Sequence, residues 1–394
     1  YANQDDHERN LYSFKGGQIY TPGSDDNLWN AAYERIYTFN TIINNVLSST
    51  DATDAEKHRL RAEALYQRAF EYLALVNIYA RHYHKETAAT DYGIPLITKD
   101  LVDQTYTRAT VAEVYKQIED DLKEASKSLK EVPINLFHPY LGSLHSFYAR
   151  LYLYMGRYDD ALTEAKEALK LNDKLQDLCP YQTWGRIVLP DGTPMLEKDD
   201  NPEAVFVRLQ SGRVTIPVSK DFLATFERNL PAGATDQRRA LFYADDTVNM
   251  GRTDYFYGET CYILYAYQNV GFSTVENMLI AAECEARVGS KDNAMSYVNK
   301  LRDNRIKNNV ALTATDKDEA LRIVLDERRR EFAFTGFHRL IDLKRLNYED
   351  KFKKTVTHTA DGETFTLAPN DNRYIFPINQ MILNYNPGMP QYER

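Results

Sequence analysis

The chain has 394 residues, of which 43% are hydrophobic and 27% charged, and its formal net charge is −9. This composition excludes a largely disordered chain, and an acidic sequence without a Lys/Arg tract does not fit nucleic acid or an anionic membrane surface as its main partner. No stretch of the sequence approaches the ~18 to 20 apolar residues that span a bilayer.

Three cysteines, Cys179, Cys261 and Cys284, are spread along the sequence without a C-x-x-C pair. An odd number without paired spacing predicts neither a disulfide framework nor a zinc site. Cys284 falls in an apolar helical stretch, so we expect it to be a buried free thiol.

A helix hairpin is predicted after a polar, irregular lead-in over residues 1–27. Apolar side chains at helical spacing predict one helix over 29–48 and a longer one over 55–83. Because the polar break between them is short, the two helices are expected to be antiparallel neighbours. Trp29 lies on the apolar face of the first helix and is expected in the core.

A third helix is predicted after a loop over residues 84–109. Thr110 and Glu113 have the spacing of a capping box, in which two side chains satisfy backbone N–H groups at a helix start. The residues behind them follow the most regular helical pattern in the chain, and Pro133 is expected to end it.

Two later segments, 149–169 and 282–301, repeat each other at a constant offset of 133 residues. The matched pairs are Ala149 and Ala282, Gly156 and Gly289, Ala161 and Ala294, Ala165 and Val298, and Ala168 and Leu301. Glycine after one helix, then small residues in the next, is typical of tetratricopeptide repeats, because small side chains let helix backbones approach closely. The two earlier hairpins are candidates for degenerate copies.

The region between the repeats, about 173–272, has a different character. It contains six prolines and an Asp191-Gly192 turn signal. Short apolar runs over 204–209 and 262–265 predict strands. A loop-rich insert of this length inside a helical array is usually functional.

The C-terminal part is predicted to begin with a helix over 316–334. Asp361-Gly362 separates two short strand-like runs and therefore predicts a β-hairpin. The tail over 374–394 is rich in proline and is expected to be irregular.

Short motifs along nearly the whole chain, in a fixed order, carry a resemblance to a known family. They are Trp29 to Asn40, Ala62 to Leu73 with Tyr92-Gly-Ile-Pro95, Asn201-Pro-Glu203, Asp236-Gln-Arg238, Glu327-Arg-Arg-Arg-Glu331, Asp342 to Arg345, Phe376-Pro-Ile378 and Asn386-Pro387. Together they resemble the SusD/RagB family. Two details depart from its pattern: Gly336 and Arg339 are separated by two residues instead of one, and Pro390-Gln391-Tyr392 stands where Gln-Asn-Pro is commoner.

The resemblance implies a mostly α, SusD-like fold. About four tetratricopeptide-like helix hairpins would form a right-handed superhelical scaffold that carries a loop-rich, short-stranded insert. Residues 1–394 would be one domain, with the scaffold at 29–172 and 275–307, the ligand-binding insert at 173–272, and a C-terminal helix, hairpin and tail at 316–394.

The resemblance also implies a binding protein, not an enzyme, on the outer surface of Bacteroidetes. It would capture glycans, or peptides in some branches, for a SusC-like TonB-dependent transporter of the outer membrane. A lipid anchor is implied, and because no cysteine lies near Tyr1, the anchoring cysteine is expected in a segment before it. No cofactor is expected.

The sequence contains none of the common catalytic motifs, such as G-x-S-x-G, H-E-x-x-H or a P-loop. His82 and His84 lack a third metal ligand at a recognisable spacing, so we expect exposed or capping histidines and no metal. In Glu327-Arg-Arg-Arg-Glu331, opposite charges lie one helical turn apart and predict a structural salt-bridge set.

The ligand-binding residues are predicted in the insert. Trp184 and Tyr257 are expected to stack on sugar rings, with Tyr181, Arg186 and Tyr255 nearby. A flat aromatic surface with a few polar partners suits a sugar, which has an apolar C–H face and hydroxyl edges. Trp184 could equally anchor its loop to the body of the protein.

Two further functions remain open on the sequence alone. One is a tetratricopeptide scaffold that binds a segment of another protein, for which the long insert would be unnecessary. The other is a carbohydrate-active enzyme, because carboxylates are plentiful although no pair stands out.

Overall fold

The computed structural model describes residues 5–101, 105–183, 187–210, 216–245, 259–263 and 268–394. The chain divides into two compact units. Unit 1 comprises residues 1–131, 139–141 and 337–394, and unit 2 comprises residues 132–138 and 142–336. In the described ranges, no helix combines the length and the apolar character needed to cross a membrane.

The described residues form thirteen α-helices, and this mostly helical fold is the one predicted. They are α1 Asp6–Tyr12, α2 Asn27–Asn45, α3 Asp54–Tyr79, α4 Val111–Ala125, α5 Leu141–Tyr154, α6 Tyr158–Leu171, α7 Lys220–Glu227, α8 Gln237–Phe242, α9 Thr274–Arg287, α10 Lys291–Asp303, α11 Lys317–Glu331, α12 His338–Leu346 and α13 Gln380–Tyr385.

Thirteen short strands accompany these helices in the described ranges, mostly in unit 2. They are β1 Gln182–Thr183, β2 Ile187–Val188, β3 Ala204–Phe206, β4 Leu209–Gln210, β5 Ile216–Pro217, β6 Thr235–Asp236, β7 Tyr243–Asp245, β8 Thr260–Tyr262, β9 Gln268–Asn269, β10 Phe272–Ser273, β11 Ile306–Lys307, β12 Val356–Ala360 and β13 Glu363–Leu367.

The helices of unit 1 pack around a buried ion pair. Arg68 of α3 donates two hydrogen bonds to the Asp121 carboxylate of α4, at 2.8 and 2.6 Å, and a third to Asn40 of α2 at 2.8 Å. This fork–fork geometry fixes all three helices to one another, because a guanidinium presents its donors in a rigid plane. The predicted helix hairpin and the predicted capping box of Thr110 and Glu113 are both present.

Unit 2 contains both copies of the predicted repeat. The first is the pair α5 and α6, the second is α9 and α10, and α6 packs on α9. The repeat residues Ala149, Ala161, Ala165, Ala282 and Ala294 are fully buried, as expected where helix backbones come close.

The two repeat glycines serve different physical needs. Gly156 has a φ of +70°, a left-handed conformation that ends α5 and suits glycine. Gly289 has an ordinary φ, but a Cβ there would overlap the Glu285 carboxylate and lie 3.1 Å from the Glu285 Cα. That carboxylate accepts a hydrogen bond from the Ser290 N–H at 2.9 Å and pairs with Lys166 of the first repeat at 2.7 Å.

The insert of unit 2 is built from loops, paired two- or three-residue strands and the short helices α7 and α8. All strand pairs there are antiparallel, and β5, β8 and β7 form its three-stranded sheet. The strand predicted over 204–209 is interrupted: β3 pairs with β10, and β4 pairs with β9. Of the strand predicted over 262–265, residues 264 and 265 lie outside the described residues.

Five short helices were not predicted: α1, α7, α8, α12 and α13. The lead-in contains α1, which Asp5 caps, and the tail contains α13; neither helix has a buried residue, so hydrophobic periodicity gives no signal. The buried face of α12 is mainly charged. The predicted hairpin around Asp361-Gly362 is confirmed, and both turn residues have positive φ.

The helix predicted over 55–83 ends earlier, at Tyr79, and α12 explains its end. Ala80 adopts an extended conformation. The buried Lys344 of α12 donates hydrogen bonds to the carbonyl oxygens of Asn77 and Ala80, at 2.5 and 2.6 Å. A lysine in this position satisfies the carbonyl groups that a helix leaves without partners at its C-terminal end.

The two repeat glycines give the first test. We expect Gly156→Ala to lower the free energy of unfolding by roughly 1–2 kcal/mol, the cost of the left-handed conformation. Gly289→Ala should cost about 1–3 kcal/mol, because Glu285 must give up its buried hydrogen bonds. In a Glu285→Ala background, Gly289→Ala should become nearly neutral while Gly156→Ala keeps its cost. Urea unfolding of the parent and the five variants measures this, and additive effects of the Gly289 and Glu285 changes would contradict it.

Candidate functional site

Unit 2 contains a cavity of about 190 Å³, which we call the unit 2 cavity. Fifteen of its 23 lining residues belong to the range 173–272, and the others are Ser273, Val275 of α9, Arg305 and residues at the end of α11 and in the loop behind it. Sites for drug-sized ligands hold about 300–1,000 Å³. The unit 2 cavity is therefore suited to a group of roughly one sugar ring.

The polar wall of the cavity is an arginine between two carboxylates. Arg305 Nη2 donates to Glu203 Oε1 at 2.6 Å, and its Nε donates to Glu331 Oε1 at 3.0 Å. Glu203 comes from the insert, just before β3, whereas Glu331 ends α11. The guanidinium thus joins the insert to the helical part of unit 2.

A second arginine, Arg238 of the insert, extends this chain of ion pairs into the interior. Arg238 binds Asp236 at 2.5 Å, Glu327 at 2.9 Å and Glu331 at 2.6 Å. Glu327 also accepts from Arg302 at 2.8 Å and from Arg330 at 2.7 Å. With Glu203 and Arg305, these residues form what we call the ion network: four carboxylates and four guanidiniums, nearly all buried.

Burial and ion pairing act in opposite directions on the acids of the network. Burial would raise the pKa of Glu327, but Arg330, Arg238 and Arg302 outweigh it and hold the pKa well below its usual value of 4.5. The pKa of Glu331 is lowered in the same way by Arg305 and Arg238. For Glu203, burial prevails over Arg305 and raises the pKa.

Aromatic rings and amides complete the walls of the cavity. Tyr262, Tyr243 and Phe332 contribute apolar faces, and Gln268 donates a hydrogen bond to the Tyr262 hydroxyl at 2.6 Å. The Asn201 side chain accepts from the Glu203 N–H at 2.9 Å, which holds the loop before β3 in place. Aromatic faces beside amides and carboxylates are the groups that a sugar ring requires.

Backbone strain is found beside the cavity. Lys198, which lines it, has a φ of +56°, and Phe334, between two lining residues, has a φ of +59°. Such conformations cost on the order of 1–3 kcal/mol for a non-glycine residue and are concentrated at functional sites. The Phe334 ring stacks on Tyr262 at a centroid distance of 4.6 Å, which offsets part of this cost.

Of the five predicted site residues, the structure describes Tyr181. Its side chain is only 6% exposed and packs with Leu178 and Leu241, and its hydroxyl accepts a hydrogen bond from Gln176 at 3.3 Å. It does not line the unit 2 cavity, although Gln176 and Leu178 do. The other four, Trp184, Arg186, Tyr255 and Tyr257, lie outside the described residues.

Sequence reasoning did not propose Glu203, Arg305 or Gln268 for the site. One signal was available: Glu327 and Arg330 occupy the buried face of α11, which the apolar residues Ile323 and Val324 also mark. Charged residues on such a face must find partners elsewhere in the fold. The predicted structural role of Glu327-Arg-Arg-Arg-Glu331 is confirmed by the Glu327–Arg330 pair, whereas Glu331 pairs with Arg238 and Arg305.

The two histidines singled out in the sequence are not exposed as expected. His82 is buried, and the His84 ring stacks on Tyr348 at 4.5 Å. Within the described part of the chain, no group of three or more His, Cys, Asp or Glu side chains is arranged to hold a metal ion. The predicted core residue Trp29 and the predicted free thiol Cys284 are both buried as expected.

Two protein-family models match the chain, one at each end. A family described as starch-binding and associating with the outer membrane matches residues 2–153, and the SusD family matches residues 275–394. No curated protein sequence matches the chain.

Solved structures share the fold over nearly the full length. A SusD superfamily protein from Bacteroides thetaiotaomicron has a TM-score of 0.74 and 19% identity, covering 99% of this chain and 95% of the other. A SusD-like carbohydrate binding protein from Bacteroides vulgatus has a TM-score of 0.67 and 20% identity, covering 92% and 83%. A SusD superfamily protein from the same species has a TM-score of 0.70 and 20% identity, covering 99% and 89%.

The ion network predicts how stability depends on pH. Because the pKa values of Glu327 and Glu331 are lowered in the folded state, their contribution is present above the unfolded value of about 4.5 and is lost as the pH falls below it. We expect Tm to fall steeply below about pH 4.5. Glu327→Gln should cost about 3–5 kcal/mol at pH 7, because it leaves buried arginines without a charge partner.

The Glu327→Gln variant should also lose less stability in acid than the parent, because glutamine does not titrate. Differential scanning fluorimetry from pH 3 to pH 7 measures both effects. Glu227→Gln, at an exposed position on α7, is the matched control. Parallel Tm curves for Glu327→Gln and the parent would contradict the assignment.

Proposed function

The chain belongs to the SusD/RagB family, and on that premise we propose that it is a cell-surface protein that captures glycans and delivers them to a SusC-like TonB-dependent transporter of the outer membrane. The family assignment supports carbohydrate binding as the general activity. Delivery to a transporter and attachment by an N-terminal lipid anchor are part of the proposal.

The observation that carries the proposal is the unit 2 cavity. Its walls come mostly from the insert, and they place aromatic rings beside carboxylate and amide groups. A helical scaffold that binds a peptide segment needs a groove between helices, and an insert would not contribute to it. A cavity lined by the insert is what ligand capture requires.

The same geometry favours binding over hydrolysis. A glycosidase needs one carboxylic acid that can donate a proton and a second carboxylate free to act as base or nucleophile. Here Glu203 and Glu331 both accept hydrogen bonds from Arg305. The guanidinium opposes protonation of each carboxylate and engages Oε1 of each.

The predicted stacking residues remain part of the proposed site. We keep Trp184 and Tyr257 as platforms with Arg186 and Tyr255 beside them, on the evidence of the sequence pattern. The buried position of Tyr181 favours a packing role for that residue, with its hydroxyl holding Gln176 at the cavity wall. Such sites often bind at millimolar to micromolar Kd, about −4 to −8 kcal/mol.

A glycan and peptide array, followed by calorimetry on the polysaccharides that bind, tests the capture activity. Trp184→Ala and Tyr257→Ala should each weaken binding at least tenfold, about 1.4 kcal/mol, and leave Tm nearly unchanged. Tyr385→Ala, which removes an exposed tyrosine of unit 1 (77% exposed), is the control and should leave affinity unchanged. A Tm loss equivalent to about 3–5 kcal/mol in Trp184→Ala would show a loop anchor instead.

Affinity that stays unchanged in both variants for a confirmed ligand would refute the stacking residues. Binding of peptides without any glycan would move the proposal to peptide capture. Release of shortened sugars during incubation with a bound glycan would contradict the binding assignment and show an enzyme.

The transporter is tested separately, in the native membrane. We expect the protein to co-purify with a β-barrel transporter after gentle detergent extraction, whether or not glycan is present. A Trp184→Ala strain serves as the matched control, because loss of ligand binding alone should leave this association intact. Recovery of the protein alone under these conditions would count against delivery.

A further inference from the structure

We infer that the unit 2 cavity takes an uncharged sugar residue and discriminates against sugars that carry a carboxylate or an ammonium group. This inference rests on the proposed function, because it names the class of glycan that would be captured. It is carried by the charge balance of the ion network, by the hydrogen-bonding capacity left at the cavity wall, and by the cavity's size.

The charges of the network cancel. With its carboxylates ionised, the ion network holds four negative and four positive charges, joined by direct ion pairs. The two charged residues at the loop side of the cavity, Glu197 and Lys198, are also of opposite sign. A charged ligand would therefore lose its hydration without meeting a net charge of opposite sign, which is costly in a partly buried site.

The arginines of the wall are committed to protein acceptors. Arg305 binds Glu203, Glu331 and the Gln176 carbonyl oxygen at 2.7 Å. Arg330 binds Glu327 and the Thr225 carbonyl oxygen. To bind a sugar carboxylate, either guanidinium would have to leave a buried carboxylate, and the displaced charge would then be uncompensated.

Hydroxyl groups meet no such obstacle. Among the described residues, Glu203 Oε1 accepts two hydrogen bonds, one from Arg305 at 2.6 Å and one from the Gln176 N–H at 2.9 Å. Its Oε2 can therefore accept a hydrogen bond from a neutral donor. The Gln268 amide donates one N–H to the Tyr262 hydroxyl, and its carbonyl oxygen is still able to accept a hydrogen bond. Sugar hydroxyls supply donors of this kind without adding charge.

The volume and the aromatic faces limit the ligand further. About 190 Å³ suits one ring, so we expect the cavity to hold a single residue of a longer glycan. Tyr262 and Phe332 offer apolar surface to the C–H face of that residue, while the acceptors of Glu203 and Gln268 meet its hydroxyl edge.

The test uses ligands with the same ring stereochemistry that differ at one substituent, which is neutral, acidic or basic. Methyl glycosides of glucose, galactose and mannose, each with its uronic acid and its 2-amino counterpart, are titrated at pH 7 by ligand-observed NMR and calorimetry. We expect at least one neutral glycoside to bind, and to bind at least tenfold more tightly than its acidic and amino counterparts. Equal or tighter binding of a charged counterpart would overturn the inference.

A charge-changing variant locates the selectivity in the cavity. Glu203→Gln keeps an acceptor for Arg305 but leaves the network with one excess positive charge, so the preference for the neutral glycoside over the uronic acid should fall at least tenfold. Glu167→Gln removes a half-exposed carboxylate of α6, outside the cavity lining, and should leave the preference unchanged. An unchanged preference in a folded Glu203→Gln protein would overturn the assignment to this cavity.

A second variant covers the case in which Glu203→Gln does not fold. Gln268→Ala removes a partly exposed amide without changing charge, and it should weaken the neutral glycoside at least tenfold while preserving the charge preference. Unchanged affinity would overturn the inference. If the protein binds polysaccharides but no methyl glycoside, the inference fails and the proposed function stands. If it binds no glycan at all, the proposed function itself fails.

Discussion

Buried charge is the constraint on which unit 2 depends. Glu327 is fully buried on α11, and a carboxylate in that position is tolerated only with several cationic partners. One partner comes from its own helix, one from α10 and one, Arg238, from the insert. The insert therefore cannot detach from the helices without leaving charge unpaired. Substitutions in its loops are tolerated only where they keep the few residues that supply these ion pairs.

The same constraint determines what the cavity can do. Arg305 and Arg238 are held by carboxylates on two sides, and these ion pairs orient Glu203 and Glu331 at the wall. A rigid wall of hydrogen-bond acceptors with no net charge is suited to recognition of hydroxyl groups. A site that must change protonation during a reaction would instead need carboxylates whose pKa values are free to respond to substrate.

Much of the fold could be predicted because its signals are local. The capping box at Thr110, the turn at Asp361-Gly362 and the small residues of the repeats act over a few residues or one helix contact, and each is present. The repeat also shows what local sequence patterns do not predict, namely why a residue is needed at its position. The sequence matches Gly156 to Gly289, but one glycine provides a left-handed turn and the other makes room for Glu285, and only tertiary contacts distinguish these needs.

The candidate site could not be predicted in the same way, because its residues meet across long distances in sequence. Glu203, Arg305 and Glu331 come from an insert loop, a helix end and a second helix, and no periodicity joins them. Aromatic residues of the insert were predicted from the sequence as ligand-binding residues, because loops that carry Trp or Tyr are common in ligand sites. The polar residues of the cavity wall are instead positioned by the ion network. Glu331, a carboxylate held by two buried arginines, cannot change without destabilising the helices around it.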